Sequence, residues 1–286
     1  MPNTVLSNIH NDLNGFNKLV KFYNEHENDF LESIDIELRD WFDANLCAVL
    51  GAILDKIHGF NGINFIFIQN AIKTILQKNN FLSFYGYPRI HDTYNTTIEY
   101  KKLKPSDSRY FNEYLENDLL RRSELPSMSD AVHDKISESI QEIFVNAQYH
   151  SETEFIYTCG QLFPKDYRLN FTIVDTGIGF ARRIEKDLGY NIGSTDAIRW
   201  AITKGHTSKH GVPGGLGLDL LKEFVTENQG KIQIVSGNAL YEFANGQEKF
   251  CELSGYFDGS VVSMTFKTDD PKTYRFANEI DINDIF

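Results

Sequence analysis

The second half of the chain contains the run Phe171-Thr-Ile-Val-Asp175-Thr-Gly177-Ile-Gly179-Phe180. Its apolar start predicts a buried strand that ends at Asp175. Gly177 and Gly179 permit a tight turn and let the backbone approach a flat ligand closely. A carboxylate at a strand end can accept a hydrogen bond from an exocyclic amine, which would select adenine over guanine. The alternative is an ordinary strand and turn in which Asp175 caps the loop.

A long helix is predicted upstream of this run, over residues 129–150, and it has two distinct faces. One face is apolar at helical spacing and would cover a sheet; it consists of Ile136, Ile140, Ile143, Phe144 and Ala147. Polar residues four positions apart line up along another side, namely Glu138, Glu142, Asn146 and His150. The Asn146 carboxamide can ligate Mg²⁺, and Glu142 can deprotonate an attacking water or hydroxyl. A solvated polar helix face is the alternative, because this spacing is weak evidence by itself.

A glycine-rich segment, residues 205–217, precedes the apolar positions of another predicted helix. Backbone N–H groups and the positive end of the helix dipole make such a helix start a natural seat for phosphates. The candidate phosphate-binding residues here are Lys204, Thr207, Ser208, Lys209, Gly214, Gly215, Leu216 and Gly217. A surface loop before a capped helix is the alternative, since a glycine-rich loop alone discriminates poorly.

The three motifs occur in one order, and in that order the chain resembles the GHKL superfamily (gyrase B, the heat-shock chaperone of that fold, histidine kinases and MutL). Residues 142–150 resemble the N box of that family. Residues 175–179 resemble its G1 box and residues 214–218 its G2 box. Residues 259–266 resemble its final Gly-Thr strand, with Ser260 in place of Thr, so that a hydroxyl is retained.

The resemblance covers roughly residues 130–267, about half of the chain. It implies an α/β sandwich known as the Bergerat fold, in which helices cover one face of a mixed sheet. It also implies ATP and Mg²⁺ as ligands and a mobile lid between the G1 and G2 boxes, here residues 180–213. Many relatives dimerise when ATP is bound, so a homodimer is a further expectation.

The residue roles implied by the resemblance follow position by position. Asp175 would recognise adenine, and Asn146 would ligate Mg²⁺. Gly215 and Gly217 would face the phosphates. Glu142 matches the general base of gyrase-like ATPases and of the anti-sigma-factor serine kinases.

The first half of the chain predicts alternating elements: helix 12–31, strand 34–38, helix 44–57, strand 63–68 and helix 70–77. This order favours an α/β unit with at least one parallel strand pair. The strand, acidic turn and helix over residues 34–57 are similar to STAS domains, the fold of anti-sigma-factor antagonists. Regulated STAS domains carry a phosphorylatable Ser or Thr at the helix start, whereas this chain has Ala44-Asn45-Leu46. An unrelated small α/β domain is the alternative.

The predicted division of the 286 residues is a STAS-like domain (1–104), a linker (105–127), an ATP-binding domain (128–270) and a C-terminal tail (271–286). The linker is assigned from its charged residues and from prolines, and it is predicted to be partly helical. Within the second domain, strands are predicted at 155–160, 170–174, 231–236 and 260–267, with helices near 195–202 and 216–226.

Composition limits the class of protein further. The net charge of −12 disfavours a general nucleic-acid binder, which needs a basic surface. The three cysteines are odd in number and far apart in sequence, so neither structural zinc nor a disulfide framework is expected. No signal peptide and no apolar run of about 20 residues is seen, which predicts a cytoplasmic protein without a membrane segment.

Three functions fit these observations. The favoured one is a Mg²⁺-dependent ATPase that acts on a protein partner as a nucleotide-driven regulatory or signalling switch. The others are a protein serine/threonine kinase similar to anti-sigma-factor kinases, and a non-catalytic nucleotide-binding adaptor. An autophosphorylating histidine kinase is not expected, because no upstream histidine lies in a His-Glu-x-x-x-Pro setting.

Overall fold

The computed structural model describes residues 4–59, 61–203 and 218–279. The first half contains β1 (Thr4–Ile9), α1 (Leu13–His26), β2 (Ser33–Phe42), α2 (Cys47–His58), β3 (Gly62–Ile68) and α3 (Asn70–Lys78). It is followed by β4 (Thr97–Leu103), α4 (Ser108–Tyr114), a π-helix (Leu115–Leu120), β5 (Ser127–Met128), α5 (Asp130–His150), β6 (Ile156–Phe163) and β7 (Arg168–Asp175). The remaining elements are α6 (Gly179–Leu188), α7 (Ser194–Ile202), α8 (Leu218–Glu227), β8 (Lys231–Ala244), β9 (Gln247–Lys267) and β10 (Thr273–Tyr274). Together they make a mixed α/β fold.

The first half forms a three-stranded parallel sheet in the order β1-β2-β3. The parallel pairing predicted from the strand and helix order is therefore confirmed. Ile34, Ile36 and Leu38 of β2 are buried, as their alternation with polar residues predicts. Strand β1 was not predicted, and α1 begins where the Asp12 carboxylate accepts a hydrogen bond from the Gly15 N–H (2.8 Å).

The second sheet has five strands in the order β4-β6-β7-β9-β8, and every pairing in it is antiparallel. Successive side chains of β7 point to opposite faces. Phe171 and Ile173 pack with the apolar face of α5, whereas Val174 packs with the core that contains α1 and α2. The sheet was predicted to be mixed, and this is wrong, because all of its strand pairs are antiparallel. Helices of the second half pack on one of its faces, as predicted, and the first half of the chain covers the other face.

The first half and the five-stranded sheet also share a buried polar contact. The Asn45 side-chain amide donates to the Thr172 hydroxyl (2.9 Å), and the Ser263 hydroxyl donates to the side-chain amide oxygen of Asn11 (2.9 Å). The two hydroxyls lie 3.0 Å apart, and the four side chains are all buried. Buried polar groups of this kind require a specific alignment of the packed surfaces. The first half is therefore built into the core of the second.

The segment between the two predicted domains also belongs to the core. Strand β4 pairs with β6, so residues 97–103 lie in the five-stranded sheet rather than with the first half. Within the stretch predicted as a linker, Phe111 of α4 stacks on Phe144 of α5 with ring centroids 4.4 Å apart. The buried guanidinium of Arg122 donates to three carbonyl oxygens, those of Asn95, Thr97 and Asp118.

Two cysteines that are distant in sequence meet in this core. The amide nitrogen of Asn79 lies 3.4 Å from the sulfur atoms of both Cys47 and Cys159. Burial, together with a hydrogen bond to Cys159, raises the pKa of the Cys47 thiol, so it stays protonated and unreactive. In the described part of the chain, no helix combines the length and the apolar character that crossing a membrane requires.

Candidate functional site

Asp175 is a buried carboxylate at the carboxyl end of β7. One of its oxygens accepts a hydrogen bond from the Gly177 N–H (2.9 Å), and the other accepts one from the Ser260 hydroxyl. Ser260 lies directly opposite Asp175 in the β7–β9 pairing. A carboxylate offers about four lone-pair positions, so these two bonds leave it able to accept from a further donor.

Burial raises the pKa of Asp175 to about 6, although the hydrogen bonds from Ser260 and Gly177 and the charge of Lys56 act in the opposite direction. The group is therefore mostly ionised at neutral pH, but at a free-energy cost. Because the donors that bond it are neutral, an additional donor would stabilise its charged form. This is the electrostatic situation of a carboxylate that is suited to receive a ligand.

The glycines of the Asp175 turn serve the protein's own packing. A Cβ atom at Gly177 would lie 1.8 Å from the carbonyl oxygen of Ser151, the residue that ends α5. That same oxygen accepts a hydrogen bond from the Ile178 N–H (2.8 Å). Gly179 has a φ of +73°, which favours glycine. The close approach predicted from Gly177 is thus made to Ser151, and it joins the end of α5 to the turn that follows β7.

Glu142 and Asn146 lie one helical turn apart on α5, and both side chains are half-buried. The amide nitrogen of Asn146 is buried and has no hydrogen-bond partner among the described residues. Such an atom requires an explanation, because an unsatisfied buried polar group costs about 1–3 kcal/mol. Rotating the amide by 180° would put its oxygen in that position, where a hard cation is a suitable partner.

The predicted phosphate-binding residues lie outside the described residues. These are Lys204, Thr207, Ser208, Lys209, Gly214, Gly215, Leu216 and Gly217. The two elements that flank them are described: α7 ends at Ile202, and α8 begins at Leu218. Residues 180–202 of the expected lid consist mainly of α6 and α7.

Ser236 is a site residue that sequence reasoning missed. Its buried hydroxyl donates to the Gly259 carbonyl oxygen (2.8 Å) and accepts from the Phe180 N–H (3.1 Å). It thereby joins β8, β9 and the start of α6 beside Asp175. No local pattern marks this serine, because its role depends on the pairing of β8 with β9.

Comparisons with known proteins add no assignment: no protein-family model matches the chain, and no curated protein matches it either. The assignment of a function therefore rests on the residues and their geometry.

No group of three or more His, Cys, Asp or Glu side chains is arranged to hold a metal ion within the ranges that the structure describes. Mg²⁺ does not need such a group, since it keeps most of its waters and takes one or two protein ligands plus substrate phosphates. Asn146 fits that mode of binding.

Proposed function

We propose that this chain binds ATP with Mg²⁺ at the Asp175 end of the five-stranded sheet and hydrolyses it as a nucleotide-driven regulatory switch. The observation that carries the proposal is Asp175 itself, a buried carboxylate that neutral donors hold in place and that can accept a further hydrogen bond. The exocyclic amine of adenine supplies that donor. Guanine has a carbonyl oxygen at the same ring position and would be repelled.

The surroundings of Asp175 support the same proposal. The hydrogen bond from Ile178 to Ser151 ties the candidate adenine site to the end of α5, the helix that carries Glu142 and Asn146. Asn146 would hold Mg²⁺, which supplies charge neutralisation at the phosphates when it is bound. Glu142 would hold the attacking water and accept its proton. The glycine-rich segment 205–217 would bind the phosphates; this assignment rests on the resemblance to the GHKL superfamily and its Bergerat fold.

The first half of the chain is proposed to be a STAS-like unit, on the strength of its parallel sheet and its alternating strands and helices. Asn45, at the helix start where regulated STAS domains are phosphorylated, is fully buried against the second sheet. That placement disfavours the first half as a phosphorylation substrate of its own second half. The same placement favours hydrolysis of ATP over transfer of its phosphoryl group to the first half of the chain.

Nucleotide titration in the presence of Mg²⁺ tests the binding proposal. We expect wild-type protein to bind ATP more tightly than GTP, and Asp175→Asn to weaken ATP binding by about 10- to 100-fold, the effect of losing a hydrogen bond to a charged group. Asp43→Asn is the matched control: Asp43 is a buried carboxylate that also accepts two hydrogen bonds, from the Asn11 N–H and the Trp41 ring N–H. Equal losses in the two variants would contradict the assignment.

Phosphate release tests the catalytic part. Glu142→Ala is expected to keep ATP binding and to lose about 10²- to 10⁴-fold in turnover, as for the removal of a general base. Unchanged phosphate release would contradict the role of Glu142. A different outcome would identify a serine/threonine kinase instead. In that case the wild type releases no phosphate but transfers it to a hydroxyl of an added protein, and Glu142→Ala loses this transfer.

A further inference from the structure

Asp258 of β9, two residues before Ser260, is contacted by side chains of three helices. The Tyr23 hydroxyl of α1 donates to one carboxylate oxygen (3.1 Å), and the Lys56 ammonium of α2 lies 3.8 Å from the same oxygen. The Arg182 guanidinium of α6 donates to the other oxygen (2.9 Å). Two of these helices belong to the first half of the chain, and α6 begins in the turn that follows Asp175.

The segment that follows Asp258 is packed directly on Asp175. Gly259 has a φ of +113°, and a Cβ atom at this position would lie 2.1 Å from the Asp175 carbonyl oxygen. Its own carbonyl oxygen is held by the Ser236 hydroxyl (2.8 Å). Ser260 then donates to the Asp175 carboxylate. A displacement of Asp258 would therefore be transmitted over two residues to the hydroxyl that orients that carboxylate.

Helices α1 and α2 hold the same end of the sheet at two other points. The Asn24 amide of α1 both donates to the Tyr256 carbonyl oxygen and accepts from the Tyr256 N–H, each over 2.8 Å. The Asp55 carboxylate of α2 accepts from the Tyr157 hydroxyl (2.6 Å) and pairs with Lys102 of β4. The contacts of Asp258 are thus part of a continuous attachment between the first half and the strand ends at the candidate site.

We infer that Tyr23 and Lys56 are positioning residues of the adenine site, which act through Asp258 on Ser260 and Asp175. This inference rests on the proposed function. It makes the first half of the chain a component of the nucleotide site, with control over affinity and base selectivity. A signal that moves α1 or α2 would be read out as a change in ATP binding.

Nucleotide selectivity separates a positioning role from a merely structural one. Tyr23→Phe and Lys56→Met are expected to weaken ATP binding by about three- to tenfold while leaving GTP binding nearly unchanged, a range typical of coupling through packed contacts. Lys56→Arg should restore most of the selectivity because it keeps the charge.

Matched controls come from the same half of the chain. Lys21→Met removes an exposed lysine of α1 that pairs with Glu25 at 3.6 Å, and Tyr87→Phe removes a hydroxyl bonded to the Phe65 carbonyl oxygen at 3.2 Å. Both controls should keep wild-type selectivity. Parallel losses of ATP and GTP affinity, or effects no larger than those of the controls, would overturn the inference.

A measurement without nucleotide distinguishes failure of this inference from failure of the proposed function. Carbon-13 NMR can follow the Asp175 carboxylate during a pH titration. The charged groups that act on Lys56 are Asp258, Asp175, Arg182 and Glu27. Lys56→Met should raise the pKa of Asp175 through the loss of a nearby charge alone. The deciding variant is therefore Tyr23→Phe, which removes no charge, so that any effect on Asp175 has to pass through the packed contacts at Asp258. A changed pKa of Asp175 in Tyr23→Phe, in a protein that binds no ATP, would retain the positioning role and reject the ligand, whereas an unchanged value would reject the positioning role.

Discussion

Asp43 and Asp175 are both buried carboxylates at the ends of strands, but their partners differ in kind. Asp43 accepts hydrogen bonds from the Asn11 N–H and the Trp41 ring N–H, and the Arg168 guanidinium lies 3.5 Å away as a compensating cation. Asp175 accepts hydrogen bonds from the Gly177 N–H and the Ser260 hydroxyl, which are neutral donors, and burial raises its pKa to about 6.

The two carboxylates therefore differ in what their buried charge does for the ligand-free protein. A buried charge with a cation and several donors holds the fold together, and its removal leaves those partners unsatisfied. A buried charge with neutral donors and a raised pKa costs free energy in the ligand-free protein. Such a cost is expected where selection acts on binding rather than on stability.

The largest expected effect is an opposite change in stability at the two positions. At pH 7, Asp175→Asn should raise the free energy of unfolding of the ligand-free protein by on the order of 2 kcal/mol, because the amide keeps the shape and loses the buried charge. Asp43→Asn should lower it by about 2–3 kcal/mol, because Arg168 loses the buried one of its two carboxylate partners, Asp43 and Asp166. Urea denaturation of both variants measures these changes. If Asp175→Asn destabilised the protein as much as Asp43→Asn does, both carboxylates would be structural, and Asp175 would not carry a charge that costs stability.

The next effect is a dependence on pH. The pKa of Asp175 is about 6 in the folded chain and near 3.8 when unfolded, so the folded state binds the extra proton more tightly. Its contribution to the free energy of unfolding is therefore most favourable below about pH 4 and is lost as the pH rises to about 6. ATP binding should change in the opposite direction and weaken as the pH falls through 6, because a protonated carboxyl accepts less well.

Comparing wild type with Asp175→Asn at each pH isolates this contribution, since the other groups titrate alike in both proteins. Unfolding measurements from pH 4 to 7 should give a difference that grows with pH and then levels off. A difference that does not vary over this range would show that Asp175 titrates outside it.

The smallest expected effect concerns the donor opposite Asp175. Ser260→Ala removes a hydrogen bond that lowers the pKa of Asp175, and we expect ATP binding to weaken by about three- to tenfold. Ser260→Thr keeps the hydroxyl and should bind ATP like the wild type. Isothermal titration at pH 6.5 and at pH 8 measures both variants, and the loss in Ser260→Ala should be greater at the lower pH. Equal affinities for Ser260→Ala and Ser260→Thr would remove Ser260 from the site.

Local patterns in the sequence predicted the elements that carry the site. The apolar stripe of α5 is buried as its periodicity predicts, and Asp175 ends a buried strand. The extent of β8 and β9 was missed, although the Asn245-Gly246 pair, with φ values of +52° and +70°, is a strong hairpin signal.

The interactions missed by sequence analysis are those that depend on long-range packing. Strand β4 was not predicted, because Lys101 and Lys102 mask the alternation of its buried residues. Tyr23 and Asp258 are 235 residues apart, so no spacing rule connects them. The same holds for Asn45 and Thr172, whose contact exists only because α2 packs on the far face of the sheet.

We propose that Asp175 recognises the exocyclic amine of adenine, and a ligand that lacks this amine provides the direct test. Wild type and Asp175→Asn would each be titrated with ATP and with purine riboside triphosphate, which lacks the amine, in the presence of Mg²⁺. We predict that wild type prefers ATP by about 10- to 100-fold and that the variant shows almost no preference. An equal preference for ATP in both proteins, or no binding of ATP by folded wild type, would contradict the claim.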